Sequence, residues 1–148
     1  MSYIDQWLNA AIEQAEKSWA EGGIPIGAVL VDSENQIISR GHNERVQRGD
    51  PTAHAEIVCL KKAGRRRDWH LLSLVSTLSP CIMCSGAILL FGIKNIVVGE
   101  NKTFLGAEDL MRSSGVKVSV LNNEQCVGLM QRMQSEKPDL WNEDIGCP

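Results

Sequence analysis

From Leu71 onward the sequence alternates short β-branched runs with helical segments, and this alternation restricts the fold more than any other feature. The pattern predicts a strand over Leu71 to Thr77 and a helix over Cys81 to Phe91, ended by Gly92. It then predicts a strand over Ile93 to Gly99, a short helix over Leu105 to Arg112, a strand over Val116 to Leu121 and a helix over Glu124 to Glu136. Strands that alternate with helices call for crossover connections and parallel pairing. Upstream the order differs. Ser2, with Asp5 three residues on, caps a helix whose stripe is Ile4, Trp7, Leu8, Ala11, Ala15 and Trp19. Gly22 and Gly23 stop it. The apolar run Ile26 to Val31, the turn Asp32-Ser33-Glu34-Asn35 and the segment Gln36 to Ser39 read as a hairpin. A polar loop from Gly41 to Thr52 leads to a helix over Ala53 to Ala63, and the acidic tail Pro138 to Ile145 to a last short helix. The expected architecture is α/β: three layers, α/β/α, around a mixed five-stranded sheet. Residues 1–148 form a single domain in this reading, with no internal repeat and no linker.

Hydrophobic residues make up 43% of the chain and charged residues 22%, the balance of a soluble globular protein. The net charge of −3 offers no basic excess to neutralise a phosphate backbone, which argues against nucleic acid as a partner. Arg65-Arg66-Arg67 is the one basic run, and it reads as solvated surface. The N-terminus lacks the basic and apolar regions of a signal peptide. The longest apolar stretch, Ala87 to Phe91, falls far short of the ~20 residues that span a bilayer. No membrane partner is expected, and the predicted location is cytoplasmic. Five cysteines are an odd number and too few for a disulfide scaffold. In a reducing compartment, closely spaced thiols are metal ligands or catalysts before they are disulfides.

Two short segments hold such residues: His54-Ala55-Glu56 and Pro80-Cys81-Ile82-Met83-Cys84. The CxxC opens a predicted helix, where its sulfurs at i and i+3 can share one face. The helix N-terminus favours the thiolate, which is the form that binds metal. No second CxxC exists among Cys59, Cys126 and Cys147. His54 with Cys81 and Cys84 supplies three ligands and leaves a fourth position for water, the arrangement of a catalytic zinc site. Glu56 would then move protons without binding metal. In mid-helix, however, residues at i and i+2 point to nearly opposite sides. The motif therefore requires that the first turn face the metal end-on. Cys59 and Cys126 read as small core residues, Cys147 as a loose terminal thiol, His42 and His70 as loop or surface residues, and Trp7 and Trp19 as core.

The pair H-x-E and P-C-x-x-C is the signature of zinc nucleobase deaminases. The sequence resembles the cytidine and cytosine deaminase superfamily. Within it, Gly22 to Gly27, Arg40-Gly41-His42-Asn43, Thr77 to Cys81, Val97 to Asn101 and Trp141 to Gly146 are similar to segments of the fungal-type cytosine deaminases. The resemblance implies a cytidine-deaminase-like fold and one zinc ion per chain, held by His54, Cys81 and Cys84, with Glu56 as the catalytic proton shuttle. It implies that Asn43 and Asp144 read the pyrimidine ring, and that the main chain at Ala55 and Ser79 contacts its polar edge and the leaving amine. Ala55 departs from the glycine of the fungal enzymes, although a backbone donor does not require glycine. Ile26, Leu78, Phe104 and Trp141 correspond to pocket walls and lid.

The activity so implied is hydrolytic deamination of free cytosine to uracil and ammonia, a step of pyrimidine salvage, in a homodimer. Two alternatives stay open. One is another small heterocycle, guanine or a cytosine analogue. The other is a tRNA adenosine deaminase, against which the acids Asp139, Glu143 and Asp144 in the tail count. A purely structural zinc module fails on ligand number.

Overall fold

The computed structural model describes residues 2–148. Helix α1 (Tyr3–Ala20) begins at a reciprocal cap: Ser2 Oγ accepts from the Asp5 amide, and the Asp5 carboxylate accepts from the Ser2 amide. Strands β1 (Gly27–Val31) and β2 (Ile37–His42) form the expected hairpin. The return strand runs on to His42, past the predicted end at Ser39, because Gly27 pairs with His42 at the far end of the ladder. Within the polar loop lies one helical turn, α2 (Arg45–Arg48). Then follow α3 (Ala55–Ala63), β3 (Ser73–Leu78), α4 (Ile82–Phe91), β4 (Asn95–Glu100), α5 (Glu108–Ser113), β5 (Lys117–Val120), α6 (Glu124–Glu136) and α7 (Pro138–Asp144).

The five strands are ordered β2-β1-β3-β4-β5, with β1 antiparallel to both neighbours and β3, β4 and β5 parallel. The sheet is mixed, as expected. Its register lays Val29, Val75 and Val97 in one row, and that row packs on Trp7, Leu8, Ala11 and Ile12 of α1 with Cys126 of α6. The next row, Leu30, Leu74 and Ile96, faces the opposite side with Ala55 and Cys59 of α3 and Ile88 of α4. Both faces of the sheet are therefore covered, and β1 is buried along its whole length. Truncating a fully buried leucine in such a row costs about 2–5 kcal/mol. Gly41 lets α3 lie directly on β2: a Cβ there would come within 2.6 Å of the Cys59 amide and 2.7 Å of the Ala55 carbonyl. This contact fixes where α3 begins.

Several boundaries move for identifiable reasons. Strand β3 starts at Ser73 because Trp69–Leu71 forms a single 3-10 turn, with Trp69 stacked on Phe91 at 5.4 Å. Helix α5 starts at Glu108 because the segment before it is pinned elsewhere: the Gly106 amide donates to Ser79 Oγ at 2.9 Å. A Cβ on Gly106 would collide with the Pro80 carbonyl. His42 is not a loop or surface residue. It is buried at the end of β2, with Nε2 2.9 Å from Glu21 Oε1. Trp19 is only half-buried, and the Arg132 guanidinium and the Lys137 ammonium lie over its ring at 4.9 and 4.6 Å. Cys59 and Cys126 are buried, Cys147 and His70 exposed, as expected. No helix among the described residues is long and apolar enough to cross a membrane.

Candidate active site

His54 and Cys81 each occupy the residue before a helix, in extended conformation, and Cys84 lies in the first turn of α4. The starts of α3 and α4 thus face one another. His54 Nδ1 lies 3.5 Å from Cys81 Sγ and 3.7 Å from Cys84 Sγ. The end-on condition is met because His54 is not yet helical, so the opposed directions of i and i+2 inside a helix do not apply to it. Glu56, in the first turn of α3, is buried and opens on the same cavity as His54 and Cys81.

The three ligand atoms lie within 4.8 Å of one another and could hold a metal ion. At ordinary zinc–sulfur and zinc–nitrogen bond lengths, tetrahedral ligands stand about 3.6 Å apart. The observed separations fit zinc. Neither helix start has a side-chain cap, so first-turn amides are left to favour negative charge on the sulfurs. A hydrogen bond from Cys84 lowers Cys81 to about 4, with burial opposing and His54 assisting. The same bond and burial hold Cys84 well above its ordinary value. Burial opposes charge on His54, but the contacts with Asp144 and Cys81 outweigh it and raise the imidazole to about 10. Burial raises Glu56 from 4.5 to about 7. In the metal-free protein this carboxyl group is therefore partly protonated at neutral pH.

The cavity at this point measures about 500 Å³. Ile26, Leu78, Ser79, Phe104, Trp141 and Asp144 line it with His54, Glu56 and Cys81. Phe104 and Trp141 meet edge to face, ring centroids 5.6 Å apart, so the 101–107 segment and α7 close on each other. Ser79 is held by its side chain, which donates to Glu108 Oε2 at 2.6 Å. Asn43 and Ala55 do not line the cavity; both are fully buried beside it. Asn43 Oδ1 accepts from the Arg45 amide at 3.0 Å, while its Nδ2 is buried without a partner. Pro51, Ile82, Met83 and Ile145 also line the cavity and were not singled out in the sequence. Ile145 lies inside the Trp141 to Gly146 ending, so proximity to Asp144 was the available signal. Ile82 and Met83 lie between the two cysteines of the CxxC, which was their signal, and Pro51 carried none.

A model of the cytidine and deoxycytidylate deaminase zinc-binding region matches residues 1–100. The chain is 47% identical over 141 residues to a cytosine deaminase of Candida albicans, covering 94% of each protein. It is 43% identical over 108 residues to a tRNA-specific adenosine deaminase of Haemophilus influenzae, covering 71% of this chain and 62% of that one. Among solved structures, a tRNA:A34 deaminase superposes with a TM-score of 0.70 at 27% identity, over 80% of this chain and 99% of that one. The guanine deaminase of Nitrosomonas europaea superposes with a TM-score of 0.71 at 23% identity, over 84% and 81%, and so shares the fold. The chain belongs to the cytidine and deoxycytidylate deaminase zinc-binding family. Its cofactor is zinc, and its class is that of the zinc-dependent deaminases, hydrolases of an amine-bearing ring carbon.

Proposed function

We propose that this protein deaminates free cytosine to uracil and ammonia, as a step of pyrimidine salvage, within one deaminase domain spanning 1–148. The observation that carries the reading is the near full-length likeness to a cytosine deaminase, taken with a cavity that α7 closes from one side. His54, Cys81 and Cys84 hold the zinc. When bound, zinc lowers the pKa of a coordinated water from 15.7 toward about 7. Glu56 would take one proton from the activated water and deliver it to N3 of the base, which makes C4 electrophilic enough to bond to the water's oxygen. It would then move the remaining proton of that new hydroxyl to the amine, so that the C–N bond breaks and ammonia leaves. Asn43 and Asp144 read the ring, the main chain at Ala55 and Ser79 contacts its polar edge and amine, and Ile26, Leu78, Phe104 and Trp141 enclose it. The acidic residues Glu143 and Asp144 beside the cavity favour a neutral base over a polyanion.

Exposed Ile82, Leu90, Phe91, Leu105 and Leu110 lie on or next to α4 and α5, and support a homodimer formed through these helices. Free thiols throughout suit a reducing cytoplasm. Ammonia release from cytosine, 5-substituted cytosines, cytidine, guanine and adenine tests the substrate. Turnover of cytosine well above the others is expected. Release from guanine alone, or from adenosine in tRNA alone, overturns the reading.

A further inference from the structure

We propose that Arg45 is a positioning residue that latches α7 over the cavity while its own backbone aims Asn43. The inference rests on the base-reading roles given to Asn43 and Asp144 above. Arg45 is the first residue of α2, and its side chain is largely buried at 18% exposure. Its amide donates to Asn43 Oδ1 at 3.0 Å, which fixes the amide plane of Asn43 and leaves Nδ2 without a partner. Its guanidinium reaches the far end of the chain. There Nη2 donates to the Glu143 carbonyl at 3.2 Å, and Nε lies 3.5 Å from Asp144 Oδ1 and 3.9 Å from Glu143 Oε2. A cation at the last carbonyls of a helix is favourably placed against its dipole.

The latch stands one step short of closed. Arg45 Nε is buried without a hydrogen bond, and Asp144 Oδ1, which already lies 3.1 Å from His54 Nε2, stands 3.5 Å from that Nε. A charge-assisted N–H···O bond needs about 2.8 Å, so a movement of α7 by less than about 1 Å would complete it. A base held by Asp144 would gain from this bond, because the bond fixes the carboxylate and the end of α7 at the cavity. Arg45 therefore contributes to substrate binding and to product retention, and not to proton transfer. Arginine is the suited residue because its rigid fork reaches a carbonyl and a carboxylate together; a lysine ammonium on its flexible stem reaches one of them.

The test compares Arg45→Ala and Arg45→Lys with the wild type, all loaded with zinc. Expected for Arg45→Ala is a rise in KM for cytosine of about tenfold or more, with kcat held or raised and zinc content unchanged. Arg45→Lys should recover part of the lost affinity. Amide hydrogen exchange over residues 138–146 should quicken in Arg45→Ala, and this readout needs no substrate. If the wild type does not turn over cytosine, the substrate reading fails while the exchange measurement still judges the latch. Unchanged KM together with unchanged exchange overturns the proposal, as does a fall in kcat at constant KM.

Discussion

His54 Nε2 stands 3.1 Å from Asp144 Oδ1, so the imidazole whose Nδ1 faces both cysteines is backed by the last residue of α7. A ligating histidine commonly has a carboxylate behind its second nitrogen, which fixes the ring and its tautomer. Asp144 thus touches the metal site and the substrate cavity at once. Asp144→Asn should weaken zinc binding and activity by about 10–100-fold. Competition with a chromogenic chelator and steady-state rates measure the two losses. A variant with unaltered zinc affinity would confine Asp144 to the substrate.

Glu56 lies outside the group of three ligand atoms, although it shares their cavity. Glu56→Gln should therefore keep one zinc per chain and lose at least about 10²–10⁴ in turnover, the usual contribution of a positioned acid–base group. Elemental analysis and ammonia release are read on the same sample. Loss of zinc together with activity would instead make Glu56 a ligand.

Removal of the metal should be felt in stability as well as activity. Zinc at a thousand times its dissociation constant stabilises the folded state by about 4 kcal/mol. Chelation should lower the thermal midpoint by several degrees, and added zinc should restore it. Cys81→Ala and His54→Ala should lose metal on elemental analysis and melt where the chelated wild type melts, whatever zinc is added.

Much of this site was legible in the sequence because its chemistry lies in local spacing. His54-Ala55-Glu56 and Pro80 to Cys84 each sit at one helix start, so a few adjacent residues specify a whole half of the metal site. The strand order of the second half follows from alternation, and the full burial of β1 from its continuous apolar run. What the sequence hid depends on partners far along the chain. His42 is buried because Glu21 meets it across the fold, and nothing near His42 in sequence announces that. Arg45 looked like one more charge in a polar loop, since its acceptors lie at the other end of the chain. Trp19 carried the right spacing for the core, but α1 leaves it at the rim, where Arg132 and Lys137 cover it.

Glu108 is a second case of a distant partner. It is buried, accepts from Ser79 Oγ at 2.6 Å, and lies 3.3 Å from both Asn101 Nδ2 and Arg112 Nη1. It thereby ties the loop before α4 to the segment that carries Phe104. Glu108→Ala leaves the Ser79 hydroxyl buried without its acceptor and should cost about 2–3 kcal/mol. Urea unfolding with an unchanged m-value measures it. Activity should fall with stability, since the Ser79 backbone and Phe104 lose their common anchor.

Glu56 also makes a signed prediction about pH in the metal-free protein. Its carboxyl titrates near 4.5 when unfolded and about 7 when folded, burial being the main cause. Between those values the folded state binds more protons than the unfolded one, so stability falls as pH rises. The favourable contribution of the neutral carboxyl is complete below pH 4.5 and lost as pH passes through 7. One pKa unit is about 1.4 kcal/mol, so the whole effect is on the order of 3 kcal/mol. Glutamine has no proton to lose and similar shape. Chelated Glu56→Gln should therefore gain stability relative to chelated wild type between pH 5 and pH 8, by urea melts at both. Equal differences at the two pH values would mean that water reaches Glu56 and holds it ionised in the folded protein.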